Sequence, residues 1–180
     1  MQQSRRDFLR NLATMAVVGA AFPLAEPAWA AKPGSRSIIL ENLNTGNRLN
    51  VVYAIGNKYV PQALSQLNIF LRDHHSGKIS KIDPKLFDLL YKLRLTLSSK
   101  KPIQIICGYR SPATNKMLQQ SGHSGVASQS LHMKGKAIDL RFADSSLADV
   151  RDAALRLKSG GVGYYPHEFV HVDTGEIRTW

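Results

Sequence analysis

The fold of this chain is decided by the stretch His132-Met133-Lys134-Gly135-Lys136-Ala137-Ile138-Asp139, which is followed further along by Phe169-Val170-His171-Val172-Asp173. Together these stretches supply two imidazoles and a carboxylate, a common ligand set for zinc. Three protein ligands leave the fourth tetrahedral position to a water molecule that the metal acidifies. The pattern therefore favours a hydrolytic zinc centre over a purely structural one.

Strand alternation supports a common site. Odd positions of the second stretch share a face, so His171 and Asp173 point the same way. In the predicted strand Ala137–Phe142, Asp139 shares its face with the small Ala137, which leaves room for a metal. A chain reversal after His132 would bring that imidazole back beside Asp139. For each of these residues taken alone an ordinary polar role is the favoured interpretation, and it is their combination in one domain that indicates a metal site.

The first thirty residues are predicted to be an export signal. Arg5-Arg6 belongs to a twin-arginine motif, an apolar run extends from Leu12 to Leu24, and Ala28-Trp29-Ala30 has the pattern of a cleavage site. The apolar run, about 13 residues, is shorter than a membrane span, so an uncleaved anchor is the weaker alternative. We expect cleavage after residue 30, export by the twin-arginine pathway to a bacterial periplasm, and no membrane span afterwards.

Residues 31–180 are long enough for one domain with a hydrophobic core. The whole chain has a formal net charge of +11, which favours polyanionic partners. Outside the cytoplasm these are anionic lipids and the carboxylate-rich cell wall, and the lack of an aromatic and basic motif argues against nucleic acid. The lone Cys107, which follows Ile105 and Ile106, excludes an internal disulfide and is interpreted as a small buried hydrophobe.

Turn and cap signals place the other elements. Two β-prone runs flank Asn44-Thr45-Gly46-Asn47 and predict a hairpin. Asp83-Pro84 is an N-cap signal, Ser146 opens a capping box, and Gly160 is expected to stop the helix that follows Ser146. Helices are predicted over 61–74, 83–99 and 146–160, strands over 37–40, 48–53, 102–107, 137–142, 161–164 and 169–173, and a polar loop, mobile or a plain linker, over 114–130. This order indicates an α+β domain with a small, mostly antiparallel sheet flanked by helices.

The HxxGxAxD pattern of His132 to Asp139 resembles the metal signature of the M15 zinc peptidases, which share the hedgehog/DD-peptidase fold. The chain is most similar to an exported branch of murein endopeptidases, over essentially all of residues 31–180. That similarity is carried by Leu43-Asn44-Thr45-Gly46, Gly108-Tyr109-Arg110-Ser111 with Asn115, the glycine-rich run 160–166, and 169–175. The resemblance implies that fold and implies that His132, Asp139 and His171 hold Zn²⁺.

Peptide hydrolysis also needs a base for the attacking water. Glu168 stands three residues before His171, the ExxH spacing of several M15 enzymes, but alternation turns it to the other face unless the chain bulges. Asp173 shares the face of His171 and belongs to the FVHxDxG run of the resembling branch, which makes it the favoured base. The alternative role for Asp173 is to orient a ligand histidine.

Arg110 is the candidate for stabilising the oxyanion. M15 relatives carry an arginine near this position, and a guanidinium binds an oxyanion or a carboxylate with two donors. Its alternative is a surface salt bridge. Tyr109, Ser111 and Asn115 are candidates for substrate binding or for positioning the loop. The remaining histidines have no interpretable spacing and are His74, His75, His123 and His167, with the last two as candidate rim contacts.

These expectations combine into a periplasmic zinc peptidase that hydrolyses the peptide cross-links of peptidoglycan during cell-wall remodelling. One alternative is a carboxypeptidase that trims stem peptides. Another is a zinc-containing module that binds the wall without catalysis, in which His123 or His167 closes the fourth metal position. The choice between a D,D and an L,D bond, and the oligomeric state, stay open at this point.

Overall fold

The computed structural model describes residues 33–121 and 126–180, so the predicted signal and His123 lie outside the described residues. Within them the chain has the α+β composition expected from the sequence. The strands are β1 (Ser35–Asn42), β2 (Arg48–Ile55), β3 (Lys58–Tyr59), β4 (Ile103–Cys107), β5 (Ala137–Phe142), β6 (Val162–Tyr165) and β7 (Phe169–Asp173). The α-helices are α1 (Pro61–Phe70), α2 (Pro84–Thr96), α3 (Pro112–Gln120) and α4 (Leu147–Leu157), and a 3₁₀ turn at Leu131–Lys134 precedes β5.

These strands form one sheet in the order β3-β2-β1-β4-β5-β7-β6. β1 and β4 run parallel where the first half of the chain meets the second. The other neighbouring strands of the described residues are antiparallel. The sheet is therefore mixed, and its β4-β5-β7-β6 half contains both predicted ligand strands.

The hydrophobic core lies between this sheet and helices α1, α2 and α4. α2 begins as predicted, because the Asp83 side chain accepts a hydrogen bond from the Lys85 N–H and Pro84 occupies the first turn. It contributes four fully buried side chains, Leu86, Phe87, Leu90 and Leu93. Burial of one such side chain is worth roughly 1.5–3 kcal/mol, so this face of α2 anchors the helix on the sheet.

α1 ends at Phe70, earlier than the His74 end predicted from its apolar spacing. Asp73 stops it, because its Oδ1 accepts a hydrogen bond from the backbone N–H of His75 at 2.9 Å and so stabilises a turn. α4 likewise ends before Gly160, the predicted stop, because Lys158 takes a left-handed conformation with φ 46°.

The prediction of a polar loop over residues 114–130 was wrong for the first part of that range, which belongs to helix α3. Ser111 caps α3 by accepting from the Thr114 N–H, and the Thr114 hydroxyl donates to Oδ2 of Asp73 at 2.6 Å. The buried residues of this helix are the polar Thr114 and Asn115, so its sequence lacks the buried apolar stripe that is present in α2. Each helix of the described residues is too short or too polar to cross a bilayer.

Candidate metal centre

One residue from each of four strands lies in a row across the sheet. Cys107 of β4 lies opposite Asp139 of β5. Asp139 lies opposite His171 of β7, which in turn lies opposite Gly163 of β6. Because register determines the face on which each side chain emerges, this alignment brings the donors of two predicted ligands together.

His132 reaches the same row from the 3₁₀ turn. The reversal predicted after it is present, and Gly135 ends the turn in a left-handed conformation with φ 63°. A side chain at Gly135 would overlap the backbone carbonyl of Lys81, so the position needs glycine for space as well as for conformation. The glycine of the HxxGxAxD pattern therefore allows the turn that returns His132 to Asp139.

Three donor atoms converge at one point. Nε2 of His132 lies 3.2 Å from Nδ1 of His171 and 3.2 Å from Oδ1 of Asp139. Oδ1 of Asp139 lies 2.8 Å from Nδ1 of His171. All three residues are buried, with exposed fractions of 3%, 4% and 8% for His132, Asp139 and His171. Donors on a tetrahedral zinc ion lie about 3.3 Å apart, so this spacing fits one zinc ion.

Hydrogen bonds on the far side of each ring orient the two imidazoles. Nδ1 of His132 donates to the carbonyl oxygen of Gly108 at 2.8 Å, and Nε2 of His171 donates to Oδ2 of Asp173 at 3.2 Å. Both partners are acceptors, so in a neutral ring the other nitrogen has no proton. Two lone pairs and the Asp139 carboxylate then face each other, and only a cation can hold them together.

The electrostatics of the cluster agree with that conclusion. Burial alone would lower the pKa of His132, but the Asp139 carboxylate raises it well above the usual range. Burial would likewise raise the pKa of Asp139, yet the imidazoles of His132 and His171 hold it well below the usual range. The centre therefore attracts positive charge, whether a proton or a metal ion.

A second donor set includes Cys107, whose sulfur lies within 4.8 Å of ligand atoms of His132 and Asp139. Cys107 is only partly buried and lines the cleft, so its interpretation as a buried core hydrophobe was wrong. We favour the set with His171 as the primary one, because its atoms are closer and both rings are oriented by outward hydrogen bonds.

Asp173, the base favoured from the sequence, is fully buried. Its Oδ1 accepts from the backbone N–H groups of Gly161 and Gly175 at 2.9 Å and 2.8 Å, and its Oδ2 accepts from Arg178 at 2.7 Å as well as from His171. Burial would raise the pKa of Asp173, but the hydrogen bonds from His171 and the other donors hold it well below the usual range. These contacts favour its alternative role, the orientation of His171.

Glu168 lies outside β7, in the hairpin turn after β6. Strand alternation therefore does not apply to it, and the β6–β7 register is regular without the bulge that alternation would have required. His167 takes a left-handed conformation with φ 69° just before it, and the Glu168 side chain is exposed and lines the cleft. Of the two candidate bases, Glu168 is the one open to a substrate.

Arg110 also lines the cleft, with its side chain 13% exposed. Its Nη2 lies 3.7 Å from Oδ2 of Asp139 and 3.5 Å from the sulfur of Cys107, while Nη1 lies 3.4 Å from Oδ1 of Asn115. These contacts place the guanidinium beside the donor cluster and not in a surface salt bridge. Tyr109 lines the cleft next to it.

Ser111 and Asn115 are buried, with exposed fractions of 0% and 2%, and neither lines the cleft. Ser111 caps α3, and Nδ2 of Asn115 donates to the carbonyl oxygen of Ala127 at 3.0 Å. These contacts favour the alternative predicted for both residues, which is to position α3 and the segment after it.

The cleft over the donor atoms is open and has a volume of about 850 Å³. Several of its residues had no predicted site role, because they come from separate segments without a shared spacing. They are His74, His75, Tyr165, Phe169, Arg178 and Trp180. For one of them the sequence offered an indication of a site role, because Trp180 is the only tryptophan of residues 31–180. His167 does not line the cleft.

Comparisons with known proteins agree with this geometry. The sequence profile of the family Peptidase_M15_2, described as "Peptidoglycan L,D-endopeptidase MepK", matches residues 30–180. The chain is 42% identical over 178 residues to the peptidoglycan L,D-endopeptidase MepK of Escherichia coli (strain K12), which covers 98% of this chain and 97% of that protein. It is 38% identical over 182 residues to a probable peptidoglycan L,D-endopeptidase MepK of Haemophilus influenzae, covering 100% of this chain and 97% of that protein.

Proposed function

We propose, from the premise that this chain belongs to the family Peptidase_M15_2, that its centre of His132, Asp139 and His171 holds zinc and hydrolyses an L,D peptide bond of peptidoglycan. The family match confirms the resemblance to M15 peptidases, and the chain is a hydrolase of the endopeptidase class that acts on peptidoglycan. The observation that carries the metal assignment is the convergence of two imidazole lone pairs and one carboxylate oxygen within 3.2 Å.

The donor set fits zinc because neutral imidazole and carboxylate are among its usual ligands. A zinc ion bound there would acidify a water molecule and polarise the carbonyl of the scissile bond. The protein's own part in holding the set is to orient it, through the carbonyl of Gly108 behind His132 and the carboxylate of Asp173 behind His171.

Two further side chains complete the chemistry. Glu168, open to the cleft, accepts the proton of the attacking water and passes it to the departing amine of the cleaved bond. Arg110, held beside Asp139 and Asn115, donates to the substrate oxygen on which negative charge develops. Asp173 acts as a positioning residue through His171.

We also propose that residues 1–30 are a twin-arginine signal and that the remaining chain is a single periplasmic domain of the hedgehog/DD-peptidase fold. The Arg5-Arg6 pair, the short apolar run and the start of the family match at residue 30 support the first part. The α+β architecture with one mixed sheet supports the second.

The experiment that tests the activity uses purified muropeptide dimers, one sample joined by L,D cross-links and one by D,D cross-links. Protein treated with a chelator, and the same protein after zinc is restored, are followed by chromatography and mass. We expect conversion of L,D dimers to monomers that the chelator abolishes and zinc restores. Cleavage of D,D dimers alone would overturn the bond assignment. If the dimers stay intact, or if only terminal residues are released, the assignment of endopeptidase activity is wrong.

The roles of the two carboxylates are separated by Glu168→Gln and Asp173→Asn. Loss of a general base lowers kcat by about 10²-fold to 10⁴-fold, so we expect this from Glu168→Gln with zinc affinity unchanged. Loss of the group that orients a ligand histidine lowers metal affinity by about 10-fold to 100-fold, so we expect this from Asp173→Asn with kcat largely restored at saturating zinc. The opposite assignment of effects would return the role of base to Asp173.

A further inference from the structure

The segment after β7 is fastened to the edge of the sheet beside the metal centre. The Val162 N–H donates to the carbonyl of Arg178 at 2.9 Å, and the Tyr164 N–H donates to the carbonyl of Trp180 at 3.0 Å. Thr179 forms a parallel bridge with Val162. The position of Trp180 is therefore determined by backbone pairing with β6.

The indole ring of Trp180 occupies the space that Gly163 leaves in the row of site residues. A Cβ at Gly163 would lie 2.6 Å from Cε2 of Trp180, so a larger residue there would expel the ring. The ring centre lies 5.1 Å from that of His171, and Nε1 donates to the hydroxyl of Tyr165 at 2.9 Å. The ring is thus held directly against a proposed metal ligand.

Despite these contacts the residue Trp180 is 50% exposed, and it lines the cleft. Tyr165 and Phe169 line the cleft as well, with ring centres 4.5 Å apart. We call these three residues the aromatic wall. Apolar ring surface that is ordered and left in water gains free energy when a ligand covers it. Arg178 lies 5.0 Å from the indole ring, which adds a cation at the same wall.

We propose that Trp180 is a substrate-binding residue whose exposed ring receives the peptide chain next to the bond that is cleaved. This inference rests on the proposed function, because it assumes that the bond is cleaved at the metal centre. An extended chain advances about 3.3–3.6 Å per residue, so a ring 5.1 Å from His171 contacts the residue adjacent to that bond. The occupant is therefore the aliphatic part of the stem peptide rather than the glycan.

Fluorescence tests the placement without any turnover. The chain has two tryptophans, so the full-length variant Trp29→Phe leaves Trp180 as the only emitter. Co²⁺ added alone to this metal-free variant should strongly quench the emission, whereas Zn²⁺ should not. Cross-linked muropeptide added to the zinc-free variant should shift the emission to shorter wavelength as the ring leaves water. An unchanged spectrum at saturating muropeptide would overturn the inference.

Kinetics separates binding from structure. We expect Trp180→Ala to raise KM for muropeptide dimers about tenfold or more with kcat and zinc affinity within about threefold, as for an aromatic binding hot spot. Trp180→Phe, which keeps a ring, should recover part of the loss. Ile177→Ala, a change at a residue of the same segment that is 67% exposed, serves as the matched control and should leave KM unchanged.

The outcomes distinguish this inference from the proposed function. If Trp180→Ala loses zinc and kcat while KM stays constant, Trp180 only supports His171 and the inference is wrong while the function stands. If the wild type cleaves no dimer but Trp180 emission still shifts on muropeptide binding, the catalytic proposal fails and the binding role of Trp180 stands.

Discussion

Asp88, which contacts β2 and β3 from helix α2, and Asp139 of β5 show what distinguishes a structural polar cluster from a binding site. Asp88 of α2 lies among donors only. Its Oδ1 accepts from Arg36 at 2.6 Å and from the Tyr53 hydroxyl at 2.9 Å, and its Oδ2 accepts from the Tyr59 hydroxyl at 2.7 Å. One cation and two hydroxyl protons balance the carboxylate, so this cluster needs nothing from outside the protein.

Asp139 has different neighbours, because both imidazoles present lone pairs to it. Their protons are used on the far side of each ring, by Gly108 and Asp173. When both imidazoles are neutral, the cation paired with Asp139 is Arg110, whose Nη2 lies 3.7 Å from Oδ2 and so beyond hydrogen-bond distance, whereas Arg36 donates to Asp88 at 2.6 Å. The Asp139 cluster is therefore short of positive charge, and the Asp88 cluster is complete. A buried polar cluster that lacks a cation is a candidate binding site, and one that is balanced contributes to stability.

The largest expected effect comes from breaking the incomplete cluster. Asp139→Asn keeps the shape of the side chain but removes the negative charge and a zinc ligand. We expect loss of bound zinc, measured by mass spectrometry of metal content, and a fall in muropeptide cleavage of about 10³-fold or more. Full zinc occupancy in Asp139→Asn would contradict the ligand assignment.

The matched change in the complete cluster, Asp88→Asn, should affect stability alone. It removes the negative charge that pairs with Arg36 and replaces one of the two acceptor oxygens by an NH₂ donor, and we expect a loss of about 1–3 kcal/mol in the free energy of unfolding, limited because the side chains are partly exposed. Urea unfolding measures this loss. Zinc content and kcat/KM per folded molecule should equal those of the wild type, and a loss of zinc would remove the distinction between the clusters.

The smallest expected effect is the pH dependence of zinc binding, which arises because a proton occupies His132 when no metal is bound. Because Asp139 raises the pKa of His132, zinc must displace a proton at neutral pH, and its affinity should rise about tenfold per pH unit until the pH passes that pKa. Calorimetric titrations in two buffers of different ionisation enthalpy should show about one proton released per zinc at pH 7. Equal heats in the two buffers would contradict this expectation.

The same shift predicts the stability of the metal-free protein. The pKa of His132 is raised on folding, so its protonated pairing with Asp139 stabilises the fold fully below about pH 6.5, the usual value in an unfolded chain. That contribution is lost as the pH rises through the raised pKa. Urea unfolding of chelated protein across this range checks the sign.

Local signals predicted much of the frame around the site. The cap at Asp83, the cap at Ser146 and the turn at Gly46 each involve hydrogen bonds or conformations within a few residues, so the sequence contains all the necessary information. Helix α3 also has a local cap, since Ser111 accepts from the Thr114 N–H, but its start is held as well by Asp73, which lies 38 residues before Ser111 in the chain. The contacts with Asp73 cannot be inferred from the neighbouring sequence, and the polar composition of 114–130 was therefore interpreted as a loop.

The sequence predicted the metal-ligand residues of the site, but it did not identify the base or the residues that reach the cleft from the C-terminal segment. The motif containing His132 and Asp139 was recognisable, and alternation correctly placed Asp173 on the face of His171. The choice between Glu168 and Asp173 could not be made, because it depends on where β7 begins and on the donors around Asp173. Arg178 and Trp180 reach the cleft because the backbone of their segment pairs with the edge strand β6. The residue spacing in that segment does not predict this pairing.

Because the row of site residues spans four strands, the metal site forms only after these strands have paired. The donors come from separate segments, and His171 joins them only when β7, the last strand of the described residues, pairs with β5. A chain in which β7 is not yet paired has no assembled donor set, so metal binding at this centre requires that pairing. The protein can therefore take up its metal in the compartment where β7 docks or in one that the folded chain reaches later, and not before.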